Sequence, residues 1–110
     1  MKFPSSVQVG LFEYTILIGD PTHANGLYGK TTHSDLQIVI YPTGKDTVDL
    51  DTLWHEIKHA IWHMINLQDT DDEERIIRAM TTAELKVYQD NPELLELFCD
   101  TLFTSYDDAD

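Results

Sequence analysis

Residues 53–64, LWHEIKHAIWHM, hold three histidines, a glutamate and two tryptophans among largely apolar neighbours. Core helices rarely carry several polar side chains unless something satisfies them. Within the stretch, His55-Glu56-Ile57-Lys58-His59 forms an H-E-x-x-H pattern. Histidines four apart lie on one helix face, one turn above another, so both imidazoles can reach a single ion. Zinc accepts neutral histidine nitrogen at about 2.0–2.1 Å, and a catalytic zinc keeps one position open for water. Glu56 is angularly offset from both histidines, so it misses the ion but can reach that water as a general base. With this chain's five histidines and seven glutamates, chance supplies only about 0.014 such matches. A histidine pair that merely flanks a glutamate on a half-buried helix is the weaker reading.

His63 extends the series, but it stands eight residues from His55, about 12 Å along the axis. It cannot share that ion and is expected at the surface or in an outer contact. A third ligand must come from elsewhere. The metzincin pattern would need glycine at 62 and histidine at 65, where this chain has Trp62 and Ile65. The gluzincin pattern takes a glutamate from the following helix, and DDEERIIRAM offers Glu73 and Glu74 in its first turn. Glu73 shares a face with Ile76, Ile77 and Met80, and Glu74 with Ile77, Thr81, Leu85 and Tyr88. Both faces have apolar character, so periodicity leaves the choice open. A carboxylate that is not a ligand would simply complement the helix dipole.

TLWHEIKHAIWH, the acidic loop after it, EERIIRAM and DNPEL together resemble the small zincin-like metallopeptidase domains of bacteriophages and mobile elements. These are minimal gluzincins, distant relatives of thermolysin, and the similarity spans most of the chain. The resemblance implies His55 and His59 as zinc ligands and Glu56 as the base. It implies Glu74 as third ligand, from its interval to Ile76-Ile77, with Glu73 as runner-up. It implies a peptide or protein substrate. No residue matches the family's transition-state stabiliser. A donor near the metal would serve a developing oxyanion, and His23, His33, His63, Tyr28, Tyr88 and Tyr106 are the candidates.

The elements that must hold this site change character along the chain. VQVGLFEYTILIG alternates as a strand or bent strand pair, with Gly10 as a bulge or turn. DPTHANG has loop chemistry. LYGKTTH and LQIVIYP read as two more strands joined around Ser34-Asp35, and Pro42 and Gly44 end the sheet. LQIVIY is expected to be an edge, beside the metal helix, onto which an extended peptide could pair. After PTGKD the period becomes helical, with Thr47, Asp49 or Asp51 as N-cap. A second helix is expected from about Asp72 to Gln89, and a third begins after Asn91 with Pro92 at its first position. The fold class is α+β: a small antiparallel sheet of about three strands, the active-site helix, then two further helices.

The 110 residues suit one domain, and 42% apolar content with ample aromatics suits a folded one. Seven basic against 20 acidic residues give a formal charge of −13, which argues against nucleic acid and against anionic lipid surfaces. No apolar run has membrane-spanning length and the start has no signal-peptide core, so a cytoplasmic protein is expected. Cys99, the lone cysteine, is expected to be a small buried apolar residue. The charge also permits a rival function: an acidic phage-type inhibitor of a basic protein, with a structural or relic metal site. A metal-stabilised structural module is a further rival.

Overall fold

The computed structural model describes residues 1–64 and 71–103. Strands β1 (Ser6–Val9) and β2 (Phe12–Ile18) are followed by a short 3-10 turn over Pro21–His23 and by β3 (Gly29–Thr32) and β4 (Gln37–Ile40). Helices α1 (Asp46–Met64), α2 (Asp71–Asp90) and α3 (Pro92–Phe103) complete the described chain. The class is α+β, as expected, but the sheet has four strands in the order β1-β2-β4-β3.

The N-terminal segment is a true strand pair. Gly10 turns it at φ +62, a conformation open to glycine because it has no Cβ, and β1 runs antiparallel to β2. The sheet is mixed rather than antiparallel. β4 pairs antiparallel with β3 but parallel with β2, Ile16 facing Ile38 and Ile18 facing Ile40. The connection after β2 carries the chain past the next position in the sheet, so β3 lands outermost and β4 returns into the gap.

That placement corrects the expected edge. LQIVIY is interior, with Ile38 and Ile40 fully buried, as a nearly continuous apolar run befits. β3 is an edge strand packed on α1, short and carrying Lys30, both common features of edges.

One sheet face meets α1. Tyr14, Ile16, Ile38 and Ile40 pack with Leu53 and Ala60, and Ile57 and Ile61 close the margin. Burying each large apolar side chain contributes about 1.5–3 kcal/mol. α2 packs on α1 and α3 on α2, so the layers run sheet, α1, α2. α1 begins at Asp46, which leaves Thr47, Asp49 and Asp51 inside the helix and none of them at its N-cap. Asp49 instead reaches back: its Oδ1 accepts from the Thr43 N–H and hydroxyl, each at 2.9 Å, and pins the entry loop. α2 and α3 lie where the sequence places them, with Asn91 preceding Pro92. Cys99 is exposed, because among the described residues α3 packs only on α2 and leaves most of its surface to solvent. Among the described residues no helix is long and apolar enough to cross a membrane.

Candidate metal centre

The H-E-x-x-H stretch lies in mid-α1, and α2 brings its first turn back against it. His55, His59 and Glu74 each offer a ligand atom, all within 4.8 Å of one another. His59 Nε2 stands 3.2 Å from His55 Nε2 and 2.7 Å from Glu74 Oε1. His55 Nε2 stands 3.3 Å from the same Glu74 Oε1 and 3.0 Å from Oε2. Ligands about 2.0–2.1 Å from a tetrahedral zinc are roughly 3.3 Å from one another. The three donors are therefore spaced much as that ion's ligands are.

Glu73 does something different. Its Oε2 lies 2.6 Å from His59 Nδ1, on the side of the ring away from Glu74. A carboxylate only accepts, so this contact assigns the Nδ1 proton to the Glu73 side. Nε2, which faces Glu74 and His55, is then the lone-pair nitrogen of the neutral ring, the one able to ligate a metal. Burial pushes the His59 pKa down, but hydrogen bonds to Glu73 and Glu74 and the nearby Glu56 charge outweigh it and raise it. Burial likewise pushes Glu74 up, but His55 and His59 outweigh it and hold its carboxyl low. Arg78, one turn on, donates to Glu74 Oε2 at 3.0 Å.

Glu56 is buried, 6% exposed. Its Oε1 accepts from the Thr31 hydroxyl at 2.6 Å, and its backbone carbonyl lies 3.1 Å from the same oxygen. Burial drives its pKa up, opposed by the Thr31 hydrogen bond and by His55 and His59. β3 can come this close because position 29 is glycine. A Cβ there would lie 2.8 Å from Thr52 Cγ2, 3.0 Å from the Val39 carbonyl and 3.2 Å from Glu56 Cγ. Glu56, His55 and Glu74 face one cleft of about 390 Å³, walled by Tyr28 and Gly29 on the strand side and Arg78 on the helix side.

The other expected donors go elsewhere. His63 stacks on His33, centroids 4.1 Å apart, and His33 Nδ1 lies 3.1 Å from the Tyr14 hydroxyl. Tyr88 packs edge-on against Phe98, and His23 faces Asp20. Tyr106 is outside the described residues. Of the five candidates among the described residues only Tyr28 lines the cleft. Sequence reasoning missed Thr31, Gly29 and Arg78. Arg78 had a signal, its i,i+4 spacing from Glu74; Thr31 and Gly29 had none without the sheet register. No protein-family model, curated protein or solved structure matches this chain.

Proposed function

We propose that this protein is a zinc-dependent peptidase of the minimal gluzincin type, with His55, His59 and Glu74 as the metal ligands. The observation that carries the reading is the convergence of two Nε2 atoms and one carboxylate at near-tetrahedral spacing, beside a buried glutamate, in an open cleft. Three protein ligands and an open side favour a catalytic over a closed structural site.

A bound zinc ion would supply Lewis acidity, polarising a carbonyl and bringing the pKa of water towards about 7. The chain's own residues do the rest. Glu56, tethered at Oε1 by Thr31, keeps its other oxygen available to take a proton from water and hand it to the leaving amine. Glu73 holds the His59 ring so that Nε2 points at the site. β3, the open edge beside α1, offers backbone groups to an extended peptide, the role expected of LQIVIY. Tyr28 is the cleft's phenolic donor for a developing oxyanion.

The test pairs two variants. Glu56→Gln should retain zinc by elemental analysis and lose cleavage of a peptide library, because glutamine cannot accept the proton. His59→Ala should lose the zinc. A glutamine variant that cleaves as fast as wild type removes Glu56 from the base role, and equal zinc in the alanine variant removes the site.

A further inference from the structure

A second concavity lies on the helical side of the molecule. Leu50 and Trp54 of α1, Leu85 and Tyr88 of α2, and Leu95 and Phe98 of α3 line an apolar groove of about 710 Å³. It arises because α3 packs on α2 without reaching α1. Leu50, Leu95 and Phe98 are each 40–43% exposed there, and Leu102, one turn beyond Phe98, is 69% exposed. Apolar side chains clustered this way mark an interaction surface rather than ordinary surface scatter.

Charge narrows the occupant. Asp51 and Lys86 are the charged residues that line the groove. Asp90 on α2 and Glu93, Glu96 and Asp100 on α3 are exposed carboxylates of the helices that form it, while Lys58 lies over the Trp54 ring and pairs with Glu84. Lys86 is itself engaged by Asp90 at 3.1 Å. The chain's own C-terminal residues, TSYDDAD, are acidic, and a second copy brings a formal charge of −13. Both meet like charge. A three-walled groove with apolar sides and an acidic surround suits a helix with apolar anchors at i, i+3/i+4 and i+7 and basic residues between them. We propose that this groove docks a basic amphipathic helix of a partner protein. The groove shares only Asp51 with the lining of the metal cleft, so the proposal stands apart from the zinc reading.

Trp54 provides the reporter, in a Trp62→Phe background. The probe is a leucine–lysine peptide of about four turns, with leucines at helical spacing. Saturable binding with a shift of Trp54 emission is expected, and little binding by a scrambled peptide of equal composition or by a leucine–glutamate analogue. Phe98→Asp and Leu50→Asp should each weaken binding roughly tenfold or more, as loss of a central apolar anchor does. Both add negative charge, so purely electrostatic association would strengthen instead. The substituted side chains are half exposed, so folding should survive, and circular dichroism checks it. Equal binding of the scrambled peptide, or affinity unchanged or raised in both variants, overturns the proposal. So does a dimer in sedimentation that Phe98→Asp dissociates, which would make a second copy the occupant.

Discussion

His59 lies between two carboxylates, and its two nitrogens divide the work between them. Glu74 meets Nε2 alongside His55, where an ion would sit, and Glu73 meets Nδ1 behind the ring. Glu74→Gln should therefore weaken zinc binding most. Glu73→Gln should weaken it about 10–100-fold, the usual cost of losing an outer partner of a ligating histidine. Competition with a chelator ranks them; the reverse order exchanges their roles, and two unchanged affinities dismiss the cluster as a zinc site. At Glu56 the check needs no substrate. Thr31→Val leaves a buried carboxylate oxygen without its donor and should cost about 1–3 kcal/mol in denaturant unfolding. Thr31→Ser should restore most of that. The histidine pair and Glu56 were legible because helix periodicity alone puts them together. Glu73 and Glu74 were legible only as alternatives, since both point towards α1 from one turn.

The elements explain why the site is held so closely. β3 touches α1 because Gly29 lacks a side chain; Gly29→Ala must push the strand away from Thr52 and Glu56, with a rigid carbonyl also in the way. Loss of roughly 1–3 kcal/mol is expected, the cost of overpacking a tight contact, read as a lower urea midpoint. At the other end of α1, Asp49 anchors the entry loop. Burial pushes its carboxyl up, but hydrogen bonds from Thr43 and the Gly44 N–H outweigh it and hold it below the ordinary range. With the folded pKa lowered, its stabilisation is present above the unfolded value of about 3.9 and is lost as pH falls through the folded value. Asp49→Ala should thus lower the melting temperature at neutral pH, and the gap to wild type should narrow as pH falls below about 3.9. A gap that persists in acid would refute this account. Asp49 was read from the sequence as a possible N-cap, on residue type. Its actual bond runs to a loop whose path periodicity does not specify.

Across the molecule, the cluster of His55, His59 and Glu74 is a junction between layers. Among the described residues α1 is held by the sheet, whereas α2 meets only α1 and α3, and α3 meets only α2. A zinc ion shared by His55, His59 and Glu74 would cross-link the first two. At a free concentration 100 times its Kd, zinc should add about 2.7 kcal/mol to stability. The gain should appear as a higher melting temperature that chelator reverses and His59→Ala abolishes. Amide exchange should slow chiefly in the first turns of α2. A wild-type protein indifferent to both zinc and chelator would argue against the junction.

The sequence by itself determined what local chemistry dictates. Hydrophobic period separated strands from helices, Gly10 marked a bulge or turn in the first segment, Asn91-Pro92 started the last helix, and i,i+4 spacing paired the histidines. Strand order was decided only by the tertiary structure, because an apolar strand reads alike at an edge or in the interior. LQIVIY went to the centre once β3 took the outside place, and that exchange moved the open edge to Gly29–Thr32. The same exchange brought Thr31 to Glu56. The short reach of a hydroxyl is a property of three-dimensional register, and no spacing along the chain encodes it.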